Sequence, residues 1–170
     1  MTDLSATGPS AHDFSADGGC GCGAVWFRLT AAPLFVNCCH CSRCQRGLGA
    51  AFAVNAVIET SQVTLLSGDL EASLLPTESG SSQEVMRCSS CKTAVWSHYQ
   101  RGGNKLAFVR VGTMDDPGAL PPNIHIHTAS KQSWLTLPSD VPVMLAFYEL
   151  ADHWPAESMA RLAKVMAASG

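Results

Sequence analysis

Short apolar runs recur along the chain between turn-forming stretches, the spacing of an all-β domain rather than of packed helices. In the stretch CGAVWFRLT (22–30), Val25, Phe27 and Leu29 share one face and Trp26 and Arg28 the other, the period-two pattern of a half-buried strand. FAVNAVIE (52–59) alternates in the same way, with Asn55 breaking the apolar run. Further strands are predicted at 63–66, 70–75, 83–87, 93–99, 105–111, 124–128 and 143–149. ESGSS (78–82) and RGGN (101–104) carry turn chemistry and read as exposed hairpin connections. The period changes at the C-terminus, where Met159, Leu162, Ala163 and Met166 fall at i, i+3, i+4 and i+7 and predict one amphipathic helix. Pro155 suits its first turn, Asp152 is a candidate cap, and Glu157 precedes Arg161 at ion-pair spacing. With no internal repeat or long linker, the pattern divides into a flexible polar tail over 1–17, a β domain over 18–150 and a helical extension over 151–170.

Composition narrows the function classes. The chain has 170 residues, of which 46% are hydrophobic and 15% charged, enough to bury one core without disulfide staples. A net charge of −3 lacks the basic footprint of a nucleic-acid partner. The opening MTDLSATGPSAHDFSADGG has neither the basic start nor the apolar stretch of a secretory signal. Runs such as AAFAV and VMLAF are too short to cross a bilayer, so no membrane partner is expected and the expected address is cytoplasmic. In that reducing compartment, eight cysteines point to metal or catalysis rather than disulfides.

The cysteines fall in three clusters: Cys20 and Cys22; Cys38, Cys39, Cys41 and Cys44, with His40 among them; and Cys88 and Cys91. A C-x-x-C turn aims two sulfurs at one ion, and a C-x-C in a strand sends two side chains from the same face. Two pairings satisfy ligand rules. Cys20 and Cys22 with Cys88 and Cys91 make a closed four-thiolate zinc site, leaving Cys39, Cys41 and Cys44 as a three-thiolate group with an open position. Alternatively, Cys41 and Cys44 with Cys88 and Cys91 make a single zinc ribbon. Spacing alone does not choose between them.

In order, the chain carries GCGCGAVWF, CHCSRCQRGLGAAF, CSSC, GTMDDP (112–117) and HIHTASKQSW (125–134). Together they resemble the glutathione-dependent formaldehyde-activating enzyme family, which includes centromere protein V, from about Gly19 to Trp134. The resemblance implies a mainly β, tent-like antiparallel fold around zinc, here with a C-terminal α-helix. It implies the first pairing: Cys20, Cys22, Cys88 and Cys91 structural, and Cys39, Cys41 and Cys44 at a labile, reactive zinc. It also implies carbon–sulfur lyase chemistry on a small-molecule thiol adduct, with glutathione as the thiol. The sequence departs from the family pattern at Arg87, Lys92 and Cys38, which places an extra thiol beside Cys39.

Three cysteinates on zinc leave a modest Lewis acid that still favours an incoming thiol as thiolate, the reactive form. Addition to an aldehyde then gives an S-hydroxyalkyl adduct, and the reverse is C–S cleavage. A proton must reach the developing alkoxide, and His40, His125 and His127 are the candidates, His98 a weaker one. His125 and His127 alternate in a predicted strand and are expected on one face. Glutathione's two carboxylates call for cations, and Arg43, Arg46 and Lys92 flank the cysteines. Gly47 and Gly49 are expected to let the backbone turn near the metal loop, Asp115 and Asp116 to form a turn with Pro117, and Trp26, Trp96 and Trp134 to be core or pocket-wall aromatics. Two other readings remain: a zinc-stabilised interaction module without turnover, and a thiol-redox protein working through Cys38 and Cys39. A homo-oligomer is compatible with all of these.

Overall fold

The structure, a computed structural model, describes residues 14–76 and 81–168. It is mainly β, with two sheets and a C-terminal helix. A three-stranded antiparallel sheet takes β1 (Ala16–Gly19), β2 (Trp26–Leu29) and β5 (Val63–Ser67) in the order β1-β2-β5. The larger sheet adds β3 (Phe35–Cys39), β4 (Ala53–Glu59), β6 (Leu70–Pro76), β7 (Ser82–Cys88), β8 (Ala94–Tyr99), β9 (Leu106–Arg110) and β10 (Ile124–Ile126). Its order is β10-β3-β4-β9-β8-β7-β6, antiparallel except where β10 runs parallel to β3. Three α-helices, α1 (Ser42–Leu48), α2 (Leu150–His153) and α3 (Ala156–Ala167), and five single-turn 3-10 helices complete the described chain.

The alternation in β2 is realised as expected. Val25, Phe27 and Leu29 are fully buried against the large sheet, meeting Ile58, Val95, Trp96 and Val109, while Trp26 and Arg28 face out. The opposite face of the large sheet buries a second cluster, in which Phe35, Val57, Ile124 and Ile126 pack against Tyr148 and Trp154. Both faces of β3 and β4 are therefore covered, which is why Phe35–Cys39 reads as a continuous buried strand with no clean alternation.

Several expectations are corrected. Residues 1–13 lie outside the described residues, but the predicted tail ends earlier than Asp17. Ala16 and Asp17 already pair with Leu29 and Arg28, and the Asp17 carboxylate takes both ends of the Arg28 guanidinium at 2.6 Å. The 78–82 turn falls mostly outside the described residues. The 143–149 strand does not form: only Val143 makes an isolated bridge, and Leu145 and Phe147 are exposed. Its neighbour β10 ends when His127 enters the left-handed region (φ 53°), and beyond it the two segments stay tied only by irregular backbone bonds, among them the His127 N–H on the Ala146 carbonyl at 3.0 Å. Trp134 is 70% exposed rather than a core or wall aromatic.

The C-terminal helix forms, but differs in detail. Pro155 precedes it, Asp152 lies in the separate short helix α2, and Ala163 and Met166 are exposed. Arg161 passes over Glu157 and forks onto Glu59 at the end of β4, with bonds of 2.9 and 2.6 Å, while its third nitrogen donates to the Ala32 carbonyl. A bidentate pair in a partly desolvated site outweighs a solvent-exposed i,i+4 pair. Asp115–Pro117 is a turn as expected, capped by the Asp116 carboxylate on the Gly118 N–H.

Candidate metal centre and cavity

The large sheet directs the chemistry because its residues alternate between two faces. Cys38 and Cys39 are consecutive in β3, so their sulfurs leave opposite sides. Cys39 emerges into a cavity of about 380 Å³. Alternate residues of neighbouring strands form its floor: Asn37 from β3, Ala53 and Asn55 from β4, Phe108 and Arg110 from β9, and Gln83, Val85 and Arg87 from β7. Helix α1 and the segment after β10 form the walls, through Arg43, Cys44 and Leu48 on one side and His127 and Phe147 on the other.

Cys41 is the N-cap of α1, and its sulfur accepts the Cys44 N–H at 3.3 Å. This turn brings Cys44 back beside Cys41, while the end of β3 supplies Cys39. The three sulfurs lie within 4.8 Å of one another and all three residues line the cavity. In the shared thiol cluster, hydrogen bonds from the Cys39 and Cys44 thiols lower the Cys41 sulfur from the ordinary thiol range. Cys39 is pushed upward by Cys41, Cys44 and burial. Gly49 closes the helix in the left-handed region (φ 63°), as expected of a turn-permitting residue. Gly47 does not use that freedom: it is an ordinary helical position on the cavity wall.

A second sulfur group lies where the two sheets meet. Cys20 follows β1, Cys88 ends β7, and the sulfurs of Cys20, Cys22, Cys88 and Cys91 lie within 4.8 Å of one another. The Cys20 and Cys22 sulfurs are 3.4 Å apart, and those of Cys22 and Cys88 3.9 Å. The Cys88–Cys91 knuckle is closed by the Lys92 N–H on the Cys88 carbonyl at 3.0 Å. The Thr93 hydroxyl, 3.1 Å from Cys91, leads the effects that hold that thiol down at about 5. Both groups offer sulfur alone, the donor type that suits zinc and other thiophilic ions. Donor type and convergence fit one four-ligand and one three-ligand site of sulfur alone, and Cys38, His40 and His125 converge as a third group of mixed sulfur and nitrogen donors.

The remaining predicted residues scatter. His40 is fully buried and turns away from the cavity. Its Nε2 is 2.9 Å from Nδ1 of His125 and 3.5 Å from the Cys38 sulfur, and its Nδ1 has no partner among the described residues. Burial pushes His40 down to about 4, and lowers His125 as well, so both rings are neutral. His127 lines the cavity, so the expectation that His125 and His127 share a face is corrected by the positive φ at His127. His98 is held by the Leu106 carbonyl at 3.0 Å. Arg43 lines the cavity, whereas Arg46 is exposed on the last turn of α1. Lys92 sits at the four-sulfur group, its ammonium 2.7 Å from Glu71. Asn55, Gln83, Tyr99 and Arg110 were not singled out from the sequence. Their signal was polarity recurring at alternate positions of strands covered on both faces, of which Asn55 was the visible instance.

The glutathione-dependent formaldehyde-activating enzyme family model matches residues 15–130. No curated protein matches the chain. A structural-genomics crystal structure of a Rhodobacter sphaeroides protein is similar at a TM-score of 0.45 and 19% identity, over 75% of this chain and 98% of that one.

Proposed function

Since the chain belongs to the glutathione-dependent formaldehyde-activating enzyme family, we propose that it is a zinc-dependent carbon–sulfur lyase acting on adducts of a thiol, glutathione, with a small aldehyde. The observation that carries this reading is the gathering of Cys39, Cys41 and Cys44 on the wall of a cavity sized for a small molecule. The four-sulfur group does not line that cavity, which supports a structural role for Cys20, Cys22, Cys88 and Cys91. Zinc, when held by the three cavity cysteines, supplies a Lewis-acidic centre that favours the ionised form of an incoming thiol.

The chain's own residues do the rest. Cleavage of an S-hydroxyalkyl adduct needs the hydroxyl proton removed as the C–S bond breaks, and addition needs one delivered. Of the predicted histidines, His127 borders the cavity and takes this role. The buried His40–His125 pair acts instead as a clamp: it pins the Cys39–Cys41 turn to β10, alongside the His40 N–H on the Ile126 carbonyl at 2.9 Å. Gln45 and Ser130 add bonds of 2.7 and 3.0 Å to the His40 carbonyl. Arg43 is the one predicted cation at the cavity, placed for a carboxylate of the thiol. Leu48, Val85 and Phe147 give the cavity apolar surface, and positioning supplies most of the gain, because thiols add to aldehydes unaided.

Exchange spectroscopy by NMR on glutathione and formaldehyde tests the reading. The zinc-loaded protein is expected to speed interconversion of free thiol and S-hydroxymethyl adduct, and Cys41→Ser to return it to the uncatalysed rate while remaining folded. Equal exchange in the two proteins refutes it.

A further inference from the structure

We propose that the cavity contains a carboxylate-recognition site centred on Arg110, so that the substrate is an adduct bearing a carboxylate. This deepens the reading above and rests on it for the identity of the adduct. The charge pattern is the first observation. Arg43, Arg87 and Arg110 border the cavity with His127, and among the described residues no aspartate or glutamate lines it. Three arginines and one histidine thus border the cavity with no carboxylate among its described lining residues, an arrangement matched to an anion.

The arginines are not equivalent. Arg87 is turned outward, donating to the Lys92 carbonyl at 3.1 Å in an exposed bond. Arg43 lies on α1, half-buried. Arg110 is rooted in the sheet: β9 pairs it directly with Asn55 of β4, which in turn pairs with Asn37 of β3. Its guanidinium donates to the Asn55 side-chain oxygen and, at 3.4 Å, to the Ser97 hydroxyl. Ser97 is itself held by Gln83 at 2.9 Å, and Asn37 by the Tyr148 hydroxyl at 2.7 Å. The floor of the cavity is thus a row of interlocked polar side chains with a guanidinium at its centre.

That guanidinium is under-used. It carries five N–H donors. Among the described residues it makes two bonds, its Nε has no partner, and no carboxylate reaches ion-pair distance. A buried cation without a counter-charge is costly, whereas a fixed, partly desolvated guanidinium is the strongest carboxylate receptor a protein offers. The missing negative charge is what a bound carboxylate supplies. Binding involves no covalent step. The carboxylate belongs either to the carbonyl-derived half of the adduct, as from a short 2-oxo acid, or to the thiol.

Two measurements on the zinc-loaded full chain test this. In a ¹⁵N-labelled sample, acetate is expected to shift the Arg110 Nε–Hε resonance, assigned by its loss in Arg110→Lys, while acetamide leaves it in place. An unmoved resonance at saturating acetate overturns the proposal without any variant having to fold. Calorimetry then compares S-carboxymethylglutathione, its neutral S-carbamoylmethyl isostere and S-methylglutathione. Loss of charge-assisted bonds in Arg110→Gln is expected to weaken the carboxylate-reading ligand about tenfold or more, and Arg110→Lys to weaken it less. Selective weakening of the S-carboxymethyl compound places the carboxylate on the carbonyl-derived half; equal weakening of all three places it on glutathione. Affinities within twofold of wild type in both variants overturn the proposal. Acetate binding at Arg110 without binding of any thioether supports the anion site and removes the thiol-adduct reading alone.

Discussion

Cys91→Ser and Cys41→Ser are nearly the same chemical change and are expected to do different damage. The Cys91 side chain is exposed, so its replacement removes little packing. What it removes is one donor from a group that joins the small sheet to the far strands of the large one. Within that group Cys22 and Cys88 are 66 residues apart in sequence. Treating the metal link as a chain cross-link, closing a loop of about 66 residues is worth about 4 kcal/mol of unfolded-state entropy. The cavity group lies within one short segment, Cys41 and Cys44 being three residues apart. Closing a loop of about 5 residues is worth about 2 kcal/mol on the same scale. Where removal of one donor releases the ion, loss of the first link is therefore expected to cost about 2 kcal/mol more than loss of the second. Urea unfolding of the zinc-loaded proteins, followed by tryptophan fluorescence, measures the difference, and a chromophoric chelator counts the zinc each retains. Cys41→Ser should keep the tightly held ion and lose the labile one. The reasoning fails if Cys41→Ser lowers the midpoint as far as Cys91→Ser does, or if Cys91→Ser leaves it unchanged.

Three further changes have expected outcomes. Arg161→Met leaves the Glu59 carboxylate without its fork in a site where the two side chains are 22% and 12% exposed, and is expected to cost about 2–3 kcal/mol in chemical denaturation; Glu59→Gln in the same background should then cost little more. Lys92→Gly relieves a non-glycine residue at φ 62°, a strain of about 1 kcal/mol, against loss of an exposed ion pair with Glu71 worth less; a small rise in melting temperature is expected, and a clear fall would show that the lysine contacts matter more than the backbone. His127→Gln is expected to leave melting unchanged and to slow thiol–aldehyde exchange about 100-fold, the usual yield of a placed proton donor, while retention of full activity would remove His127 from the mechanism.

The parts of this fold that could be read in the sequence are those where one face of a strand meets water. Val25, Phe27 and Leu29 against Trp26 and Arg28 gave β2 its orientation because Arg28 is solvated. β3 carried no such contrast. Every residue from Phe35 to Cys39 is buried, on one side by the inter-sheet core and on the other by the C-terminal segment, so the strand escaped detection. The spacing of cysteines showed that ligands were present but left their pairing open, because pairing depends on where β7 ends relative to β1, a tertiary fact. Folding places Cys20 and Cys22 with Cys88 and Cys91, and keeps Cys39, Cys41 and Cys44 apart from them. Arg110 was invisible for another reason. In LAFVR an arginine closing a continuous apolar run looks like an outward-facing charge at a strand end, and the surface it faces is the cavity.

The two adjacent cysteines bear directly on the choice between lyase and thiol-redox chemistry. A vicinal disulfide needs both sulfurs on one side of the backbone. Cys38 and Cys39 are held in a strand paired on both edges, by Val54 and Ala53 of β4 and by His125 and Ile126 of β10. Bringing their sulfurs together would break those ladders and pull Cys38 from its place beside His40, where the side chain is 1% exposed. Burial also pushes the Cys38 thiol up to about 12, away from the thiolate that exchange requires. Cys39 can still meet a small molecule in the cavity; Cys38 cannot do so without the sheet opening. The pair therefore divides its work by strand geometry: one sulfur belongs to the cavity, and the other packs the interior face that fixes His40 and the turn behind it.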